Sequence, residues 1–122
     1  MSRADALSVS RTSTLSAAQA HAAAPLFAAL GDETRLKLVL RLAARGPESI
    51  AQLSATSTVS RQAITKHLEI LARAGYVRGY RRGREHVWRL QPKRVAIARG
   101  YLDQISRQWD GALGRLTQFV EG

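Results

Sequence analysis

The spacing of apolar residues changes at Gly75, and that change constrains the fold more than any other feature of the chain. Before it, in "SRQAITKHLEILARAG", Ile64, Leu68 and Leu71 share one face of a helix, with Ser60 placed to cap its start and Gly75 its end. After it, in "YVRGYRRGREHVWRL", Tyr76, Val77 and Tyr80 lead into Gly83-Arg84, and Val87 and Leu90 then follow in mixed alternation with His86, Trp88 and Arg89. Two short strands around a two-residue turn containing glycine make a β-hairpin. A helix thus hands over directly to a hairpin.

The remaining segments read as helices. "APLFAAL" forms a short one, ended by Gly31, and Asp32 suits the N-cap of the next. In "DETRLKLVLRLAARG" the residues Leu36, Val39, Leu40 and Ala43 recur at helical spacing and are expected to face the core, with Gly46-Pro47 as the stop. "SIAQLSA" buries Ile50 and Leu53 in about two turns, and "TSTV" leaves room only for a tight connection. Pro92 opens a last helix, expected from about residue 93 to 120, with Gly100, Gly111 and Gly114 as weak points costing up to roughly 1 kcal/mol each. The fold class is therefore mainly α with a small β-hairpin. Two helices joined by a tight turn form a helix-turn-helix, and the basic hairpin behind it is a wing.

Charge is concentrated in the same region. The 122-residue chain carries a net +10, and residues 61–99 hold eleven basic and two acidic side chains, so they account for +9 of it. Such a balance points to a polyanionic partner, nucleic acid before an anionic membrane. On the helix from Ser60, the residues Gln62, Thr65, Lys66, Glu69 and Arg73 fall opposite the apolar stripe, and Ser60, Arg61 and Gln62 occupy the first turn. Arginine reads guanine bidentately, glutamine reads adenine, and serine or threonine contacts either bases or phosphate. A solvated amphipathic helix can show the same residues to water, so the wing decides the matter. Arg81, Arg82 and Arg84 gather at its tip, where they can reach a minor groove or the phosphates beside it. The DNA-binding set is Ser60, Arg61, Gln62, Thr65, Lys66, Arg81, Arg82 and Arg84. His67, on the apolar flank, is expected to pack within the protein.

From Phe27 to Leu90 the chain resembles the winged helix-turn-helix repressors of the arsenical-resistance-repressor (ArsR) family. The resemblance rests on "LFAALGDETRLKLVLRLA", "SRQAITKHLEILARAGYV" and "RRGREHVWRL" and covers about two thirds of the sequence. One departure is Thr58, at a turn position where the family often has glycine. The resemblance implies repression by occluding polymerase, and pairing of the final helix with the first, which carries Leu26, Phe27 and Leu30. Spacing gives the final helix a heptad-like stripe of Val95, Ala98, Leu102, Ile105, Trp109, Ala112, Leu116 and Phe119. We expect a two-fold homodimer through Leu26, Phe27, Leu102, Ile105, Trp109, Leu113, Leu116 and Phe119, and hence an operator in double-stranded DNA that is an imperfect palindrome.

Other functions find little support. No cysteine is present, which excludes disulfides and thiolate metal sites. Family members that sense metals use cysteines near the helix-turn-helix or Asp, His and Glu sets on the last helix. Here Asp103 and Asp110 stand on that helix without a histidine, since the three are His21, His67 and His86. No metal or cofactor is expected, and any effector is left unidentified. The chain has no G-x-S-x-G, P-loop or G-x-G-x-x-G, so it is not expected to be an enzyme. No apolar run approaches the roughly 18 residues of a membrane span, and the cytoplasm is the expected compartment. Residues 1–20, rich in Ser, Thr and Ala, are expected to form a mobile tail before a domain at 21–122. Two alternatives stay open: a winged helix binding DNA or RNA without sequence choice, and a protein-interaction module docking an acidic partner through the wing.

Overall fold

The structure is a computed structural model that describes residues 15–121. Its elements run in the order α1 (Ala17–Leu30), α2 (Glu33–Arg45), β1 (Glu48–Ser49), α3 (Ile50–Ala55), α4 (Arg61–Arg73), β2 (Val77–Arg82), β3 (Glu85–Leu90) and α5 (Pro92–Glu121). The strands form one antiparallel sheet in the order β1-β3-β2. The fold is the mainly helical winged helix-turn-helix expected, with one addition. Glu48 and Ser49 add a third strand, pairing with Trp88 and Val87.

Each helix start has a local chemical cause. Asp32, Ser49 and Ser60 cap α2, α3 and α4 by accepting from Arg35, Gln52 and Ala63 N–H groups, and at α3 Gln52 reaches back to the Ser49 N–H to close a capping box. The first helix starts earlier than "APLFAAL" suggests. Ser16 and Gln19 form a capping box there as well, with bonds of 3.1 and 2.8 Å. The alanine-rich stretch behind it has high helix propensity and carries the helix through Pro25. Residues 17–20, expected in the tail, thus belong to α1, and the rest of that expectation up to residue 14 lies outside the described residues.

The chain divides into two compact units, and residues 25–95 make up one of them. Its core is Leu26, Ala29, Leu38, Leu42, Ile50, Leu53, Ile64, Leu68, Leu71, Tyr76, Val77, Val87 and Trp88. On α2 the expected face is the wrong one. Leu36 and Leu40 are 43% and 60% exposed and Ala43 is exposed too, whereas Leu38 and Leu42 are buried. "LKLVLRLAA" is apolar on two faces of a helix, so spacing alone cannot choose between them. Tyr76, almost fully buried, donates its hydroxyl to the Leu26 carbonyl at 2.8 Å and ties the start of the wing to α1. Arg35 adds a second tie by donating to the Ala29 carbonyl at 2.7 Å, one of the last carbonyls of α1.

The hairpin closes as expected at Gly83-Arg84, with Arg82 opposite Glu85. Gly83 has φ +63 while among the described residues none other than glycine has positive φ, the pattern of a type II′ turn, which needs glycine at its first central position. Thr58 likewise keeps a negative φ, so the turn before α4 accepts it without strain. The mixed alternation of β3 has a structural reason: Val87 and Trp88 point to opposite faces of the sheet, and both are buried.

The other unit comprises residues 15–24 and 96–121. Ala23, Ala98 and Gln104 are buried within it, and Leu15 N–H reaches the Gln108 side-chain oxygen at 3.5 Å. Along α5, Leu102, Trp109, Leu113, Leu116 and Phe119 are 54–84% exposed. Among the described residues no helix is long and apolar enough to cross a membrane.

Candidate nucleic-acid interface

Helix α4 supplies the exposed polar face that the sequence implied. Arg61, Gln62, Lys66 and Glu69 are exposed, and with the half-buried Thr65 they line one shallow recess along the helix. Two members of the expected set are already engaged within the protein. Ser60 is exposed, yet its oxygen accepts from the Ala63 N–H, leaving its proton for an outside acceptor. Thr65 donates to the Arg61 carbonyl at 3.0 Å, which leaves its hydroxyl only acceptor capacity for an outside partner.

The sheet register divides the wing arginines. Side chains alternate along a strand, so Arg81 shares a face with Gly79, His86 and Trp88, while Arg78, Tyr80, Arg82 and Arg89 lie on the other. Arg84 sits in the turn. Arg61, Arg81, Arg84 and His86 line a common recess with Glu85 and the start of α3 at Ser49, Ile50 and Ala51. The first turn of α4 and one side of the wing therefore form a continuous basic surface. Arg82, grouped with Arg81 and Arg84 by its position in sequence, is turned to the opposite side.

His86 stacks on Trp88, with ring centroids 4.7 Å apart and an interplanar angle of 30°. A side chain at Gly79 would collide with both, its Cβ lying 2.7 Å from His86 Nε2 and 3.0 Å from the indole. Glycine is required there by this close approach.

A residue that sequence reasoning passes over holds these parts together. Arg41 on α2 donates to both carboxylate oxygens of Glu48 at 2.5 and 3.1 Å, to Thr56 Oγ1 at 2.5 Å and to the Gln52 carbonyl at 3.1 Å. One guanidinium thus joins α2, the wing sheet through β1, and the end of α3 where the helix-turn-helix bends. The hydrogen bonds from Arg41 hold the Glu48 carboxyl below the usual carboxylate range against the cost of its burial. The signal in the sequence is weak, an arginine and a glutamate seven residues apart across Gly46-Pro47.

His67 lies where packing was expected. It is half-buried, with Nδ1 at 3.3 Å from Arg35 Nη1 and 3.8 Å from Asp32 Oδ2. The Arg35 N–H bond keeps the Asp32 carboxyl below its ordinary range, and His67 adds to this. Among the described residues no three His, Cys, Asp or Glu side chains gather into a set that could hold a metal ion. Of the expected dimer residues, Leu26 is buried within the single chain, which corrects its assignment: it has no free surface to offer and serves the core. Phe27 and Ile105 are half-buried.

Known proteins share this arrangement. A helix-turn-helix domain family matches residues 30–79, from the end of α1 into the wing. The HTH-type transcriptional regulator Rv2034 of Mycobacterium tuberculosis is 37% identical over 93 residues, which cover 76% of this chain and 83% of that protein. Among solved structures, an ArsR-like transcriptional regulator from Rhodococcus sp. RHA1 is similar at 36% identity with a TM-score of 0.65, over 80% of this chain and 91% of that one. A possible transcriptional regulator for arsenical resistance follows at 32% identity and a TM-score of 0.64, over 76% and 93%. The chain belongs to the ArsR family of winged helix-turn-helix transcriptional regulators, and it is a DNA-binding regulator of that type.

Proposed function

We propose that the protein is a repressor that binds an imperfect palindrome in double-stranded DNA as a homodimer and blocks transcription by occupying promoter DNA. The observation that carries this reading is the recess shared by Arg61, Arg81 and Arg84, together with the polar recess along α4 in which Arg61 also takes part. Helix α4 enters the major groove, where Arg61, Gln62 and Lys66 reach base edges and phosphates, and Ser60 and Thr65 contribute what their internal bonds leave over. Arg81 and Arg84 hold the backbone beside it, and Arg82 approaches from the far side of the wing tip.

Dimerisation follows from α5, whose Leu102, Trp109, Leu113, Leu116 and Phe119 leave an apolar stripe exposed in the single chain. Ile105 on α5 and Phe27 on α1, both half-buried, complete the contact set. A two-fold pair presents two α4 helices to half-sites about 10 bp apart or a small multiple of that. The winged domain reads DNA, α5 pairs the copies, and this work takes place in the cytoplasm without catalysis.

A gel-shift titration tests the proposal. A palindrome from the upstream region of the protein's own gene should bind at least about a thousandfold tighter than random duplex at moderate salt. Equal affinity for both would replace this reading with backbone binding that makes no sequence choice. Failure to bind either would favour the wing as a docking surface for an acidic protein.

A further inference from the structure

We propose that the face of the wing turned away from Arg81 and His86 carries a separate anion site, in which Arg78 and Arg89 hold a phosphoryl group. The register sets Arg78 directly opposite Arg89 in the β2–β3 ladder. Residues so placed have Cβ atoms about 4.5–5.5 Å apart, and like charges there destabilise a sheet. Nothing among the described residues offsets that repulsion, because neither guanidinium has a hydrogen-bonding or ionic partner there. Glu85, paired with Arg82 at the tip of the wing, lies four residues along β3 from Arg89, roughly 13 Å away. Glu48 on the neighbouring strand has both carboxylate oxygens engaged by Arg41.

The two arginines line one recess with Tyr80 and Pro47. Tyr80 is half-buried, and its hydroxyl has no partner among the described residues, so the recess offers two guanidinium forks and a phenol O–H. Such a donor set, without a carboxylate, fits a tetrahedral oxyanion, which arginine binds bidentately. A bound dianion turns the repulsion between the arginines into attraction to a common centre.

The phosphoryl group can come from the backbone of DNA flanking the bound site or from a small phosphorylated molecule. Only the first source rests on the function proposed above. The experiment uses the full chain and begins without DNA, titrating inorganic phosphate against chloride at matched ionic strength and following thermal unfolding. Phosphate strengthens folding generally, but that effect acts alike on wild type, Arg78→Gln and Arg89→Gln. The expected result is that each substitution raises the melting temperature in chloride, by relieving repulsion, and that phosphate stabilises wild type more than either variant.

The second arm compares a duplex limited to the operator with one extended by about a turn on each side. If flanking DNA is the source, Arg78→Gln loses affinity only on the extended duplex, with a salt slope lower by about one for each protomer, about two for the homodimer. If a free phosphorylated molecule is the source, the variant binds both duplexes as wild type does while the phosphate response is lost. A phosphate response identical in all three proteins, together with no selective loss on the extended duplex, overturns the proposal. Failure of wild type to bind either duplex would count against the repressor function alone, because the phosphate arm needs no DNA.

Discussion

At the residue scale, the wing is least tolerant of change at Gly79. The indole of Trp88 is buried and cannot yield, so Gly79→Ala must displace His86 and part of the strand. A loss of about 1–3 kcal/mol is expected, the usual cost of overpacking, and thermal unfolding should show it as a drop of several degrees. The double variant Gly79→Ala with His86→Ala should recover part of this, since it removes the nearer of the two obstructions. Glycine inside a strand is itself a mark of close approach, so this contact is open to reading in the sequence, although the glycine of "RRGR" is the more conspicuous one. On α4 the roles of Gln62 and Thr65 should separate. Gln62 is exposed and its amide has no partner among the described residues, so Gln62→Ala should relax base preference at particular operator positions, because each good bidentate base contact is worth roughly 1–3 kcal/mol. Thr65 spends its hydroxyl proton on the Arg61 carbonyl and makes no such contact, so Thr65→Val, which keeps the shape of the side chain, should bind within about twofold of wild type. Binding to a panel of single-base operator variants would check both.

At the scale of elements, the joint held by Arg41 is the point to test. Glu48 is almost wholly buried, with its side chain 9% exposed, and loses the cation that bonds both its oxygens if Arg41 is removed. Breaking a buried pair from one side costs about 3–5 kcal/mol, and the part-exposed arginine puts Arg41→Ala at the lower end of that range. The pH dependence has a definite sign. The carboxyl of Glu48 is held below its ordinary value of 4.5, so its contribution is complete above that pH and is lost as the pH falls below it. Chemical denaturation from pH 7 down to about 3 should show wild type losing stability faster than Glu48→Gln once the solution passes below 4.5. Equal slopes would show that the ion pair contributes nothing. Elements bounded by a cap and a glycine, such as α4 and the wing, are legible in the sequence because both signals are local. The start of α1 is legible in "SAAQ" too, but Pro25 competes with it as a first-turn residue and draws the boundary too late. The buried face of α2 is not legible, since Leu36 and Leu38 compete for the core on equal terms. The third strand cannot be read from two residues, because its pairing with Trp88 and Val87 depends on contacts about forty positions away.

At the scale of the whole molecule, an apolar stripe on α5 and a basic surface on the wing have to work together if two copies read one site. Trp109 lies within that stripe and is 68% exposed in the single chain, so Trp109→Glu should leave folding intact, with unchanged helical content and melting behaviour at concentrations where only monomer exists. In the dimer the same glutamate would be buried without a partner, a cost large enough to dissociate the pair. Sedimentation should therefore report monomer for the variant and dimer for wild type. Each half-site then binds alone, and the tight binding that comes from linking two modest interactions is lost, a change that can exceed about a hundredfold without altering any DNA contact. An operator with only one half-site discriminates between the possible causes: the variant and wild type should bind it almost equally. Weaker binding of the variant to the single half-site would mean that Trp109 supports the reading head itself, and a monomeric wild type would remove the two-fold operator from the mechanism altogether.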